Sequence, residues 1–320
     1  MVVDDSVVVR TVIGRILNSD PAFSVVHKTN SAEHALQYLA THDVDLVLLD
    51  IELPGQSGLS ALPAFLRANP RGKVVILSGN CEEGSAAAVE ALALGASDIL
   101  AKPGSGSFGE AFPRSLIDRL SRLFGANPVS AEDVPPVPMA TAQASAPLAC
   151  LGIGASTGGI HALGQLFAGM SEPPGVPILL TQHLPVSFTS YFVQQLARMT
   201  SLRVKVGEQG ELLAPDTVYV APGDANLQIR RGLYGRVMVT LNPQRTAAGN
   251  LPGVDPMFTS MAEAYGAGAA GVVLTGMGRD GTAGGRDIVA AGGWIVAQNE
   301  ASSVVWGMPG SVAAAGLSCA

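Results

Sequence analysis

Charge is scarce in this chain. Only 14% of its 320 residues are charged, and 26 acids against 19 bases leave a net charge of −7. No basic stripe offsets that acidity, which excludes a nucleic-acid backbone as the expected partner. Cysteine is rare too. Cys81, Cys150 and Cys319 are odd in number and lack CxxC spacing, so a disulfide framework is excluded and a reducing compartment is expected. The opening MVVDDSVVVR places two aspartates where a signal peptide needs an unbroken apolar core. No apolar run approaches the roughly 18 residues of a membrane span. The expectation is a cytoplasmic protein with no direct membrane insertion.

The chain is rich instead in apolar residues (48%) and in glycine, with 38. That composition suits a buried core whose many strands hand over to helices through tight turns. Residues 125–149, GANPVSAEDVPPVPMATAQASAPLA, hold five prolines and almost no large apolar side chain, which reads as a flexible linker. It separates an N-terminal domain, 1–124, from a C-terminal domain, 150–320.

Before the linker, apolar strands at Val2-Val3, Val25-Val26, 46–49, 74–77 and 99–101 alternate with helical patterns such as 31–42 and 84–95. Strands apolar on both faces and separated by helices predict a parallel five-stranded sheet covered on both sides. After the linker the alternation resumes, with strands near 150–155, 176–182, 217–221, 271–275 and 294–297 and helices including 187–199 and 256–265. Residues 226–241 read as an antiparallel hairpin around Gly232 to Gly235. The fold class is therefore α/β throughout, with a doubly wound second domain that carries a hairpin.

Polar residues gather where the first domain's strands end. Asp4 and Asp5 follow the first strand and Asp50 the third, Ser78 ends the fourth, and Lys102 ends the fifth, followed by Pro103. Ligands of open parallel sheets bind at those carboxyl ends. Three carboxylates there suit a hard cation such as Mg²⁺, and a lysine suits an anion. VVDDS, LVLLDIELPGQSG, VVILSGN and AKP together resemble the response-regulator receiver domain, across about 1–122. The resemblance implies a flavodoxin-like fold with Asp50 accepting phosphate from a histidine kinase. It also implies a Mg²⁺ site at Asp4, Asp5 and Asp50, with Ser78 and Lys102 responding to the phosphoryl group.

In the second domain LGIGASTGGI, residues 151–160, joins a strand to a helix. A dinucleotide fingerprint from Gly152 needs a glycine where Thr157 stands. It also needs an acid about 20 residues on, where the next strand, VPILLTQHL, offers His183 and no carboxylate. The alternative is G-x-S-x-G at Gly154–Gly158, a turn that exposes Ser156 beside backbone N–H groups. His183 supplies a base at the end of the next strand, and Asp280 in GMGRDG supplies a carboxylate after a third. The spacing therefore predicts a triad: Ser156 attacks, His183 carries the proton, Asp280 orients the imidazole. The order Ser, His, Asp differs from that of α/β-hydrolases.

GIGASTGGI, TQHLPVSFTSYF, VYVAPGD, VDPMFTSMA, VVLTGMGRDG and AQNEASSVVWGMPG closely resemble the catalytic domain of the chemotaxis protein-glutamate methylesterases, over about 150–316. The resemblance implies hydrolysis of glutamate methyl esters on chemoreceptor cytoplasmic signalling helices, with glutamine deamidation as a related activity and no cofactor for the ester chemistry. It places Ser156, His183 and Asp280 in the family's triad and Thr157 and Met277 at its oxyanion and active-site support. It also implies phosphorylation control through the receiver. The pattern thins at Gln195, Asn226, Leu251 and Gly253, where the family has arginine, histidine, arginine and serine. Those departures motivate an alternative, a receiver-controlled interaction module with a weak or altered hydrolase. Methanol release separates the two.

Overall fold

The computed structural model describes residues 1–79, 82–102, 111–125 and 146–319, in two compact units, Met1–Ala126 and Asn127–Ala320. Pro103, Cys81 and most of the expected linker lie outside the described residues.

The first unit runs β1 (Val2–Val3), α1 (Val7–Asn18), β2 (Lys28–Thr29), α2 (Ala32–Leu39), β3 (Leu46–Asp50), α3 (Gly58–Ala68), β4 (Lys73–Ser78), α4 (Glu82–Leu94), β5 (Asp98–Ala101) and α5 (Ala111–Leu123). Its five strands are parallel in the order β2-β1-β3-β4-β5. The order reverses between β1 and β3, which opens a crevice beyond their carboxyl ends. β3 is buried at every position, as its run of leucines and valine requires. Ser6, Ser31 and Ser57 each cap the helix that follows by accepting a backbone N–H. The second strand differs from the sequence expectation. It lies at Lys28–Thr29, because Val2 pairs with Lys28, while Val26 is exposed and the Val25 N–H is taken by the Asn18 side chain.

The second unit runs β6 (Cys150–Ala155), α6 (Gly159–Ala168), β7 (Ile178–Gln182), α7 (Val186–Met199), β8 (Arg203–Val206), β9 (Thr217–Val220), β10 (Asn226–Arg231), β11 (Val237–Asn242), α8 (Val254–Tyr265), β12 (Ala269–Val273), α9 (Thr282–Ala290), β13 (Trp294–Ala297) and α10 (Met308–Ala314). Six strands form a parallel sheet in the order β13-β12-β6-β7-β9-β8, and β10 and β11 form the expected antiparallel hairpin. Here the order reverses between β6 and β12. Helix α8 buries Val254, Met257, Phe258 and Met261, an i, i+3, i+4, i+7 stripe, against the strands. Two glycines of β6 make room for it: a Cβ at Gly152 would lie 2.5 Å from Met261 Sδ, and one at Gly154 2.5 Å from Val254 Cγ1. So part of the glycine-rich motif serves helix–sheet packing.

Candidate active site and receiver crevice

Ser156 and His183 leave adjacent parallel strands at the same level. Ala155 of β6 pairs with Gln182 of β7, and the His183 N–H donates to the Ala155 carbonyl at 2.9 Å. Both residues are partly exposed. After Ser156 the chain turns through Gly158, whose φ of +76° favours a residue without a Cβ, into α6. The Ser156 carbonyl is fixed by the Gly159 N–H at 2.8 Å and by the Gln182 side-chain amide at 2.8 Å. Its own N–H donates to the Thr275 carbonyl at 3.1 Å and is therefore committed to the fold. The backbone N–H groups of Thr157 and Met277 meet no acceptor among the described residues.

Asp280 reaches the crevice from the far side of the switch point, in the turn between β12 and α9. It is 3% exposed. Its Oδ2 accepts from His183 Nε2 at 2.8 Å and from the Val254 N–H at 2.8 Å. Its Oδ1 accepts from the N–H groups of Asp255 at 3.0 Å and Gly281 at 3.1 Å. Burial opposes ionisation of this carboxyl. The hydrogen bond and charge of His183, with the Val254 and Asp255 amides, outweigh it and hold the pKa below the ordinary value. An ionised carboxylate only accepts, so Nε2 carries the hydrogen and Nδ1 is left as the ring's proton acceptor. In serine proteases the two nitrogens have the reverse roles.

Three supports carried little signal in the sequence. Gln182 is buried and donates to the carbonyls of Ser156 and His183. Thr275 is 1% exposed and ties the Thr157 and Val305 carbonyls to the end of β12. Asp255 accepts from Gly281 and Gly284. Adjacency to strand ends was the available clue for the first two. Asn226, where the family pattern has histidine, is buried and structural. Its amide donates to the Asn242 and Gln244 carbonyls and accepts from Gly253 at 2.7 Å. A Cβ on Gly253 would lie 2.4 Å from Thr246 Cγ2, so serine does not fit there without a shift. His161 faces Gln165 on α6, at 3.1 Å.

In the receiver crevice Asp4, Asp5 and Asp50 each bring a carboxylate oxygen within 4.8 Å of the others. Lys102 Nζ lies 2.6 Å from Asp50 Oδ2 and 3.1 Å from Asp4 Oδ2, and those buried oxygens meet no other donor among the described residues. Burial raises the Asp50 carboxyl to about 6, against the pull of Lys102 and with the help of Asp4. Burial also works against the Lys102 charge, but Asp50 and Asp4 overcome it and raise its pKa. Three clustered hard oxygen donors, two with unfilled acceptor capacity, fit Mg²⁺. Ser78 is buried at the end of β4.

Comparison with known proteins agrees with this division. Residues 151–320 match the CheB methylesterase family, and residues 1–107 the response regulator receiver domain. A protein-glutamate methylesterase/protein-glutamine glutaminase of Caulobacter vibrioides is 39% identical, over 99% of this chain and 93% of its own length. One from Rhodospirillum rubrum is 37% identical, over 99% and 89%. The crystal structure of the Thermotoga maritima CheB methylesterase catalytic domain superposes with a TM-score of 0.51 at 34% identity, covering 54% of this chain and 91% of that one. This chain therefore belongs to the CheB methylesterase family, as a methylesterase that carries a response regulator receiver domain at its N-terminal side.

Proposed function

We propose that the chain hydrolyses γ-glutamyl methyl esters, and deamidates glutamines, on the cytoplasmic signalling domain of chemoreceptors, under control of phosphorylation at Asp50. The observation that carries the chemistry is the 2.8 Å pair between His183 and the buried Asp280, with Ser156 following the strand adjacent to the one that His183 follows. Ser156 Oγ attacks the ester carbonyl as His183 Nδ1 takes its proton. The C–O bond to the methoxy group breaks, and the imidazolium returns the proton to give methanol. Water, deprotonated by the same nitrogen, then resolves the acyl-enzyme to glutamate and restores Ser156. A glutamine side chain follows the same course and releases ammonia. Thr157 and Met277 N–H groups support the oxyanion, and Asp280 stabilises the imidazolium.

The reading assigns the receiver a histidine kinase as phosphodonor and Asp50 as acceptor. Asp4, Asp5 and Asp50 would hold Mg²⁺, which when bound supplies positive charge against the phosphoryl oxygens. Lys102 pairs with the added anion, about −1.5 to −2 charges at neutral pH, and Ser78 stands at the neighbouring strand end. Among the described residues no helix is long and apolar enough to cross a membrane, consistent with a cytoplasmic site of action. The domain limits 1–124, 125–149 and 150–320 are part of this reading.

The test measures methanol released from methylated receptor by the full chain and by Ser156→Ala, each with and without a small-molecule phosphodonor. Release by the wild type alone, raised by the phosphodonor, is expected. Equal release by both proteins removes the triad. No release by phosphorylated wild type favours an interaction module.

A further inference from the structure

The chemistry proposed above uses one carboxylate, but two meet in this site. Asp255 is the second residue of α8 and lies partly buried beside the turn that carries Asp280. Its Oδ1 accepts from the Gly281 N–H at 2.9 Å and the Gly284 N–H at 2.8 Å. These belong to the first turn of α9, whose own cap, Gly281, has no side chain to satisfy them. In return, the Asp255 N–H donates to Asp280 Oδ1 at 3.0 Å. The two segments therefore clamp each other, each carboxylate holding the other's backbone. The Gly281 N–H is shared, 2.9 Å from Asp255 Oδ1 and 3.1 Å from Asp280 Oδ1, so two carboxyl oxygens converge on one hydrogen.

We propose that Asp255 is a positioning residue for the hydrolysis: it fixes the Asp280 turn from α8 and adds negative charge behind the Asp280–His183 pair. This rests on the triad reading. A buried and a partly buried carboxylate meeting on one amide cannot both ionise at the ordinary carboxylate value. Burial, with Asp280 adding to it against the two amides, raises Asp255 to about 6, whereas Asp280 is held low by His183. The pair's proton accordingly resides on Asp255 in mild acid and is lost as pH rises through about 6. The other charged groups on the packed elements are Arg279 in the turn, Arg286 and Asp287 on α9, Glu263 on α8 and Arg230 and Arg231 on β10, all exposed, and His183 beyond Asp280. With Asp255 ionised, the field at His183 favours the imidazolium formed after Ser156 attacks.

The test labels Ser156 in the full chain with a fluorophosphonate across pH, which reads the nucleophile without the receptor substrate. Asp255→Ala removes clamp and charge, and labelling slows by about 10–100-fold through a misplaced Asp280. Asp255→Asn keeps an oxygen for Gly281 and Gly284 but removes the charge. Its acid limb moves to lower pH than in the wild type, because the imidazolium loses a nearby anion. A helix cap alone would leave that limb in place. An Asp255→Asn profile that superimposes on the wild type, or an Asp255→Ala chain labelled at the wild-type rate, overturns the proposal. If Asp255→Ala does not fold, as circular dichroism would report, the Asp255→Asn profile decides. A wild-type chain unlabelled at Ser156 overturns the triad reading and this proposal with it.

Discussion

Asp50 and Asp280 are buried to nearly the same degree, 1% and 3% exposed, yet their carboxyls shift in opposite directions. Asp50 ends β3 and Asp280 follows β12, each a parallel strand next to a topological switch point. The difference lies in what meets the oxygens. Asp280 receives backbone N–H groups from Val254, Asp255 and Gly281 and an imidazole N–H, so its charge is fully solvated by the protein. Among the described residues Asp50 receives one backbone N–H, from Glu52 at 3.1 Å, and shares Lys102 with a second carboxylate. Burial wins there. A carboxylate surrounded by fixed donors thus stays ionised, and one that meets few of them keeps acceptor capacity to fill.

The largest effect should come from breaking the donor-rich site. Asp280→Asn keeps the shape but replaces an acceptor facing His183 with an amide, and we expect esterase activity to fall by about 10²–10⁴-fold. Substrate KM should change little, because Asp280 touches the imidazole and not the ester. Steady-state methanol release checks both values. A loss confined to KM would contradict the assigned role. The same substitution should lower stability at neutral pH. The folded-state pKa of Asp280 lies below its unfolded value, so its stabilisation is present above the unfolded value and is lost as pH falls through the folded one.

Asp50→Asn tests the opposite sign. The folded-state pKa is raised to about 6, so the ionised form costs stability above that pH and nothing below the ordinary carboxylate value. Without divalent cation, Asp50→Asn should stabilise the chain at pH 7.5 by on the order of 1–3 kcal/mol. The gain should vanish as pH falls through 6 toward about 4, the unfolded value. Urea unfolding at several pH values measures it. Mg²⁺ should raise the unfolding temperature of the wild type more than that of Asp50→Asn, and the phosphodonor response should be absent in the variant.

This contrast was only partly legible in the sequence. The positions of Asp4, Asp50, Lys102, Ser156 and His183 at strand ends followed from where apolar runs stop, because parallel strands buried on both faces announce their limits. The second strand did not, since Val25 and Val26 read as apolar while the pairing of Val2 selects Lys28. The donors that separate Asp280 from Asp50 are backbone N–H groups of Val254, Asp255 and Gly281. Every residue carries such a group, so no residue type marks it. Gln182, Thr275 and Asp255 act through contacts far apart in the chain, which neither periodicity nor spacing encodes. Gly152 and Gly154 looked like a nucleophile loop, and the structure gives them to the packing of α8 as well.

The smallest expected effect isolates the cation that meets the receiver carboxylates. Lys102 lies 2.6 Å from Asp50 and is the main influence opposing burial there. Lys102→Met removes it without adding a polar group. The Asp50 carboxyl should then titrate about one pH unit or more above the wild type, since an adjacent cation usually lowers a carboxyl by that much. Carboxyl carbon NMR across pH, in the absence of divalent cation, follows the resonance directly. An unchanged midpoint would mean that Lys102 does not offset the burial of Asp50. The contrast with Asp280 would then rest on backbone donors alone.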